Sequence, residues 1–223
     1  MLASRYPSLQ SHAAASVVNL SLHPPNRVRI VRAATVPALV DALKGGHPEA
    51  QDHAAGALFS LSIDDENKAA IGVLGALPPL LHLLTRAQAG ERARRDAAMA
   101  LYYLSMSGTN RSKLVKLGAV KTFLGLATAA SQEASPLPGP ALMVLCNLAA
   151  FGEGRAAMMD AGAVEAMVRL LTAPPPSDPA VELKREHCVT ALYGMSKGSM
   201  RFRGLARAAG AEEVLRAVME QGE

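Results

Sequence analysis

The stretch Ala55-Gly-Ala-Leu-Phe-Ser-Leu-Ser62 has counterparts elsewhere in the chain. Similar runs begin at Ala14, Ala98 and Leu142, where they read AASVVNLS, AMALYYLS and LMVLCNLA. Aligned on one apolar position, successive copies lie 41, 43, 44 and 47 residues apart. The aligned positions are Leu20, Leu61, Leu104, Leu148 and Met195. A period of this length indicates a stack of repeated structural units.

A marker of small residues follows each copy of the motif, with its second residue 15 or 16 positions after the aligned residue. The markers begin at Ala34, Gly75, Gly118, Gly162 and Gly210. Most of the variation in repeat length therefore falls after the marker, in segments rich in Pro, Gly and Ser. These segments are 85–93, 129–140 and 173–181. Variable loops attached to a fixed unit are typical of a solenoid.

Each unit is predicted to contain three helices. The first is short (26–33, 67–74 and 110–117) and begins at an Asn, which we expect to act as the N-cap. The marker should end it with a residue at positive φ, a conformation that Gly adopts readily and that we also expect for Ala34. The second helix is amphipathic (36–43, 77–84 and 164–171), and the first two of these have Pro in their first turn.

The third helix is predicted to be the longest, and it carries the repeated motif. Its apolar residues recur at helical spacing, for example at Ala54, Ala57, Leu58 and Leu61. Gly56 lies within this helix. We expect it to allow close approach of neighbouring helices, although a Gly that is simply tolerated there is the alternative.

The composition favours closely packed helices. Half of the residues are hydrophobic, but only 4% are aromatic and there is no Trp. Cys146 and Cys188 lie in apolar stretches and are expected to be buried, reduced thiols of an intracellular protein. No signal-peptide segment and no run of about 18 apolar residues is evident, so no membrane span is predicted.

The charge pattern gives no sign of a nucleic-acid partner. The net charge of +4 is spread along the chain. A short basic cluster such as Arg92-Ala-Arg-Arg95 is expected to be a solvated helix face. Binding of nucleic acid would require a denser basic patch, or aromatic residues placed to stack on bases.

A three-helix unit of about 42 residues, with a glycine hinge after its first helix, resembles the armadillo repeat. The resemblance covers nearly the whole chain. It implies an all-α fold, a right-handed α-solenoid of armadillo repeats in one domain, 1–223. Four complete units (24–63, 64–106, 107–150 and 151–197) are expected between partial units at 1–23 and 198–223.

Several longer runs are similar to the C-terminal armadillo region of plant U-box ubiquitin ligases. These runs are 19–22, 54–61, 65–68, 71–80, 110–116 and 145–150. In that family a U-box recruits the ubiquitin-charged conjugating enzyme, and the armadillo array binds substrates or upstream partners. The resemblance implies the same binding role for this chain, in which no U-box segment is recognisable.

The array is also expected to begin within a unit. Met1 and Leu2 are interpreted as the end of a second helix, and 10–22 as the third. The chain would then be either a fragment of a longer ligase or a truncated paralogue. An array of this kind should expose apolar surface, and it should either self-associate through its N-terminal end or be weakly stable. The residues expected at that surface are Val17, Val18, Val36 and Leu39.

No catalytic constellation is evident in the sequence. Three histidines occupy equivalent third-helix positions, but equivalent residues of packed helices lie about 8–10 Å apart, too far to share a metal ion. The acidic run 62–66 is expected to cap a helix, and Gly72-Val-Leu-Gly75 lacks the spacing of a phosphate-binding loop. We therefore predict no catalytic residue, no metal site and no cofactor.

The most informative predicted surface is a ladder of third-helix positions. Within each unit, two positions seven residues apart share one helix face. In armadillo proteins the third helices line a groove, and an Asn at the second position is of the type that hydrogen-bonds an extended peptide. The alternative is that these polar side chains are merely solvated. The predicted groove residues are His12, Asn19, His53, Ser60, Asp96, Met99, Tyr103, Met143, Asn147 and His187.

One absence narrows the class of partner. Importin-alpha arrays place Trp four residues before the groove Asn, forming pockets for basic targeting peptides. The corresponding positions here are Ala15, Gly56, Met99, Met143 and Thr190. That cargo class is therefore not expected. Met99 and Met143 would instead form an adaptable floor for varied partners, unless they are partly covered core residues.

These observations together predict a protein-binding armadillo region that functions in a plant U-box ligase. It would hold a protein substrate or regulator, as an extended peptide or a helix, near the charged conjugating enzyme. The region itself would supply no acid, base or nucleophile. A stand-alone adaptor without a ubiquitin role is the alternative. The expected location is the cytoplasm, with the nucleus as a second compartment.

Overall fold

The computed structural model describes residues 1–86, 88–129, 137–172 and 179–221. All regular structure in these ranges is α-helical. The short first helices are α2 (Pro24–Arg32), α5 (Asp65–Val73), α8 (Gly108–Lys116), α11 (Gly152–Asp160) and α14 (Met200–Ala208). The second helices are α3 (Thr35–Gly45), α6 (Leu77–Thr85), α9 (Ala119–Thr128), α12 (Ala163–Leu171) and α15 (Ala211–Gln221). The third helices are α1 (Pro7–Ser21), α4 (Pro48–Ser62), α7 (Glu91–Leu104), α10 (Pro138–Ala149) and α13 (Pro179–Ser196).

The helix order confirms the predicted all-α repeat, with the third helix longest in each group. The predicted loop positions 130–136 and 173–178 lie outside the described residues. The helices form two compact units, Met1–Leu117 and Gly118–Glu223. In the first unit, α4 packs against α1, α2 and α3, and α7 packs in the same way against α4, α5 and α6. In the second unit, α13 packs against α10, α11 and α12.

The predicted hinge between the first and second helices is confirmed. All four marker glycines have positive φ: Gly75 (91°), Gly118 (75°), Gly162 (75°) and Gly210 (67°). Ala34 adopts the same left-handed conformation, with φ 56° and ψ 31°. It is the only residue other than Gly with positive φ in the described part of the chain. The turn is therefore kept in the first unit despite the steric cost of a Cβ.

The prediction that Asn caps the first helix is wrong. Asn67 is the third residue of α5, whose N-cap is Asp64, and the Asp64 carboxylate accepts from the Glu66 N–H. Asn26 and Asn110 also occupy the third position of their helices. Each of the three amides donates instead to a carbonyl of the preceding third helix, six residues earlier, at 3.0 Å. The Asn therefore clamps the end of one helix to the start of the next, while the acidic run supplies the cap as expected.

Two expectations about the N-terminal end are also wrong. Met1 and Leu2 lie in a turn, in which the Ser4 N–H donates to the Met1 carbonyl, and not in a helix. Val36 and Leu39 are fully buried, because α4 covers this face of α3. The large apolar residues that remain exposed there belong to α1 and its flanks: Met1, Tyr6, Leu9, Leu20 and Leu22.

No single helix in the described ranges is both long and apolar enough to cross a membrane. Helices α5 and α6 meet the length and hydropathy requirements only as a pair bent by 84°. Ile71, Leu77 and Leu80 of this pair are at most 1% exposed. The apolar surface of the two helices is therefore used in packing.

Candidate partner-binding surface

Gly56 of α4 lies close to side chains of both neighbouring third helices of the first unit. A Cβ on this residue would lie 3.2 Å from Oδ2 of Asp96 on α7 and 3.8 Å from Cγ2 of Val18 on α1. Gly56 therefore separates the side chains of both neighbouring third helices, as the sequence predicted. A larger residue at this position would displace the Asp96 carboxylate.

Aromatic side chains form a shelf beside this junction. The rings of Phe59 and Tyr103 are stacked, with centroids 6.0 Å apart and planes inclined by 26°. Tyr102 is tilted against Tyr103 at 5.0 Å. The Lys68 ammonium group lies 5.7 Å from the centroid of the Tyr103 ring, where a cation–π attraction operates. All three rings are half-buried, so that each keeps an exposed part.

Asp96 lies on the same face of α7, two turns before Tyr103. It is 6% exposed, and its carboxylate oxygens are 3.8 Å from Nε of Arg92 and of Arg95. Burial raises the pKa of the Asp96 carboxyl, and the charge of Asp52 adds to this, while the two arginines act in the opposite direction. Burial also raises the pKa of Asp52. This part of the surface therefore holds a buried and a half-buried carboxyl group beside exposed guanidinium groups.

The remaining predicted residues of the first unit differ in their accessibility. His12 and Asn19 are exposed, and His53 and Met99 are half-buried. Ser60 is buried, and its hydroxyl donates to the Ser21 carbonyl at 3.1 Å. Ser60 thus links α4 to the end of α1. It holds the position in α4 that Asn19 holds in α1, but Asn19 is exposed whereas Ser60 is buried.

The predicted residues of the second unit lie on α10 and α13. Met143, Asn147 and His187 are half-buried. The His187 carbonyl accepts from the Cys146 thiol at 3.2 Å. Cys146 and Cys188 are free thiols, the latter buried and the former half-buried. Burial raises their pKa values to about 11 and about 12, so both remain protonated at neutral pH.

Sequence reasoning missed four contributors to the surface of the first unit: Phe59, Tyr102, Asp52 and Lys68. A signal for the aromatic pair was available, because Phe59 and Tyr102 hold the same register, immediately before the groove-Asn position. The contribution of Lys68 could not be inferred from spacing, since it reaches Tyr103 from α5. Within the described ranges, no group of three or more His, Cys, Asp or Glu side chains could hold a metal ion. The groups on this surface can stack, make apolar contacts, form hydrogen bonds and pair charges.

Comparison with known proteins agrees with this architecture. Residues 64–106 match the family model of the armadillo/beta-catenin-like repeat. A computationally designed armadillo repeat protein for modular peptide recognition superposes with a TM-score of 0.84 at 21% identity. The alignment covers 97% of this chain and 88% of that one.

Two curated relatives from Arabidopsis thaliana match over the whole chain. U-box domain-containing protein 41 is 53% identical over 222 residues, and U-box domain-containing protein 38 is 50% identical over 226 residues. The chain spans 38% and 40% of their respective lengths. The helices of this chain form armadillo repeats, and its whole sequence is similar to part of plant U-box domain-containing proteins.

Proposed function

We propose that this chain is the partner-recognition region of a plant U-box ubiquitin ligase. The observation that carries the proposal is the match of the entire chain, at 53% identity, to 38% of the length of a U-box domain-containing protein. In a protein of that length, the matched region can bind a partner while a separate domain recruits the ubiquitin-charged conjugating enzyme. Holding an acceptor lysine close to that enzyme raises its effective concentration. The ligase would function in the cytoplasm, with the nucleus as a second compartment.

The third-helix ladder is the proposed binding surface. The exposed amide of Asn19 and the aromatic shelf of Phe59 and Tyr103 support contact with a peptide or helix. Amide groups can pair with peptide backbone, and aromatic rings contribute apolar area with a defined geometry. The chain itself is proposed to transfer no ubiquitin.

Proximity labelling in plant cells can identify the partners of the intact chain. The Asn19→Ala/Tyr103→Ala/Asn147→Ala variant is expected to lose most of them, since each lost hydrogen bond costs about 0.5–1.5 kcal/mol. The matched control is Asp41→Ala/Lys44→Ala, which changes two exposed residues of α3 and should retain the partners. Circular dichroism checks that helicity is unchanged. Equal labelling by the ladder variant would move the binding site to another face.

A reconstituted reaction tests the ubiquitin context. A partner identified in this way should be ubiquitinated by a full-length U-box protein together with activating and conjugating enzymes. Excess of the 223-residue chain should inhibit the reaction by competing for the partner, and the ladder variant should not. Ubiquitin transfer by the chain alone, or no effect of the chain on partner ubiquitination, would contradict the proposal.

We also propose that the chain self-associates through its N-terminal end. The support is the exposed apolar side of α1, on which Leu9 is 39% and Leu20 is 56% exposed. Burying large apolar side chains of this kind favours association.

A further inference from the structure

Large apolar side chains are exposed where two first helices of the first unit end. Val73, the last residue of α5, is 64% exposed, and Leu74 after it is 40% exposed. Leu117, which follows α8, is 44% exposed. Exposed apolar residues that lie together, unlike single ones, mark a surface that binds a partner. We name this surface the hinge edge, and it consists of Val73, Leu74, Lys113, Lys116 and Leu117.

Two hydrogen bonds show that these residues lie side by side. Asn110 of α8 donates to the Lys68 carbonyl of α5 at 2.8 Å. Lys113 of α8 donates to the Gly72 carbonyl of α5 at 3.4 Å. Both helices advance by about one turn between the two bonds, so they run in parallel and in register. Leu117, which is one turn beyond Lys113, therefore lies beside the end of α5.

The exposure of the hinge edge does not depend on where the sequence begins or ends. Helix α5 packs against a first helix on each side, α2 and α8. Val73 and Leu74 remain exposed between these two neighbours. In a solenoid each repeat contacts only its neighbours, so a further repeat at either end would not reach this turn.

The turn after the first helix does not require large apolar side chains. The position of Leu74 and Leu117 is held in the other repeats by alanine: Ala33, Ala161 and Ala209. The position of Val73 is held there by charged residues or alanine: Arg32, Lys116, Asp160 and Ala208. All five turns have a residue with positive φ directly after the Leu74 position. Formation of the turn therefore does not explain the apolar side chains of the hinge edge.

The last turn of α8 adds positive charge to this surface. Lys113 and Lys116 lie there, on one helix face with Leu117. Neither lysine pairs with a carboxylate in the described part of the chain. Helix α8 contains no Asp or Glu, and the acids of α5, Asp65 and Glu66, lie in its first turn and are already paired. The hinge edge is therefore complementary to a partner that carries carboxylates.

The spacing of the exposed side chains fits a helix better than a strand. Packed helices lie about 8–10 Å apart, which sets the separation between the ends of α5 and α8. Apolar residues seven positions apart on a helix share a face and are about 10.5 Å apart. Residues on one face of an extended strand are about 7 or 13 Å apart. A helix can therefore place one apolar side chain on Leu74 and the next on Leu117.

We propose that the hinge edge binds an acidic amphipathic helix of a partner protein. The apolar side chains of that helix pack on Leu74 and Leu117, and its carboxylates pair with Lys113 and Lys116. The hinge edge lies on the first helices, whereas the ladder lies on the third helices. The two surfaces therefore serve different partners and are tested separately.

Fluorescence anisotropy of the full 223-residue chain with labelled synthetic peptides provides the test. The probe EEAALAALLAALEE has about 14 residues, which span roughly 20 Å as a helix, with acids at both ends so that it binds in either direction. The control peptides are KKAALAALLAALKK, which reverses the charge, and EEAASAASSAASEE, which removes the apolar face. The probe is expected to bind at least about tenfold more tightly than either control, and less tightly as salt is added.

Variants that copy other repeats locate the site without disturbing the fold. Leu74→Ala and Leu117→Ala introduce the alanine found at this position elsewhere, and each should weaken binding at least about threefold. Lys116→Glu introduces an acid, as at Asp160 of α11, and should weaken binding about tenfold. Met106→Ala is the matched control, since Met106 is 39% exposed but follows α7, and it should bind the probe unchanged.

Four results would overturn the proposal. The first is no binding of the probe at about 1 mM, and the second is full affinity in a Leu74→Ala/Leu117→Ala chain. The third is binding that is lost in the Asn19→Ala/Tyr103→Ala/Asn147→Ala ladder variant but kept in the hinge-edge variants, which would place the probe on the third helices. The fourth is sedimentation with phosphatidylserine vesicles that exceeds binding of the probe and is lost in Lys116→Glu, which would assign the hinge edge to a membrane surface.

Discussion

The joint between a third helix and the next first helix is built differently in the two compact units. In Met1–Leu117 the third residue of each first helix is Asn, and its amide donates to a carbonyl at the end of the preceding third helix. In Gly118–Glu223 the same position is held by Gly154 in α11 and by Phe202 in α14. The first unit therefore uses a hydrogen-bonded clamp, and the second uses close backbone contact or an apolar side chain.

A basic residue next to this position contributes in both units. Arg27 donates to the Ser21 carbonyl at 3.0 Å, and Lys68 donates to the Ile63 carbonyl at 3.4 Å. In the second unit, Arg155 donates to the Ala149 carbonyl at 3.5 Å. A cation at the C-terminus of a helix satisfies open carbonyls and complements the helix dipole. This charged contact is shared by the two units, so the difference between them lies in the Asn clamp.

Removing the most buried clamp should have the largest effect. Asn110 is fully buried, and its amide donates to the Leu104 carbonyl at 3.0 Å and to the Lys68 carbonyl at 2.8 Å. Asn110→Ala would leave both carbonyls without this donor and open a cavity. We expect a loss of about 3 kcal/mol in the free energy of unfolding, measured by denaturant melts. Asn110→Asp, which keeps the shape and removes the donors, should be comparably unfavourable.

Asn26 provides the matched control for this clamp. It donates to the Leu20 carbonyl at the same distance, 3.0 Å, but the bond is exposed. Water can replace the lost donor there, so Asn26→Ala should cost less than about 1 kcal/mol. Equal losses at the two sites would mean that burial does not decide the strength of the clamp.

The second unit can be tested at Gly154, where close approach replaces the amide. A Cβ on Gly154 would overlap with the Leu148 carbonyl oxygen and with the ring of Phe151. A backbone oxygen cannot rotate away, so Gly154→Ala should destabilise the chain by about 2 kcal/mol through displacement of α11. Thermal and denaturant melts measure the change.

Gly125 of α9 is the control in the same unit. It lies inside a helix and no atom is within 4 Å of its ideal Cβ. Gly125→Ala should stabilise the chain by about 0.5–1 kcal/mol, because Ala loses less backbone entropy on helix formation. A stabilising Gly154→Ala would mean that the joint in the second unit is loose and that Gly is only tolerated there.

The sequence predicted the repeat and its hinges because both depend on local chemistry. Helical spacing recurs in every repeat, and the marker holds the same place in each, with Gly in all but the first. The order of three helices and the turn at Ala34 could therefore be inferred. The role of Asn110 could not, because its partner Lys68 belongs to the previous repeat, 42 residues earlier. The same holds for Ser60 of α4, whose hydroxyl donates a hydrogen bond to the Ser21 carbonyl at the end of α1. Contacts of this kind between successive repeats decide which polar residues remain available to a partner. They cannot be inferred from the spacing of residues in the sequence.

The hinges offer the smallest effects and the sharpest comparison of backbone conformation. The first unit turns at Ala34 and Gly75, while the markers of the second begin at Gly118, Gly162 and Gly210. No atom lies within 4 Å of an ideal Cβ on Gly75 or Gly118, so substitution there changes only the backbone energy. Gly118→Ala should cost about 1 kcal/mol, and Gly75→Ala somewhat more, because its φ of 91° is further from the left-handed minimum near 57°.

Ala34→Gly is the reciprocal change. It should be neutral or stabilising by a few tenths of a kcal/mol, since relief of the left-handed strain is offset by the greater freedom of Gly in the unfolded chain. Denaturant melts of these three variants place all of the hinges on one scale. If Ala34→Gly lowers the free energy of unfolding by about 1 kcal/mol, the value for a Gly inside an ordinary helix, the first repeat does not turn at Ala34 in solution. The register assigned to the start of the array would then have to shift.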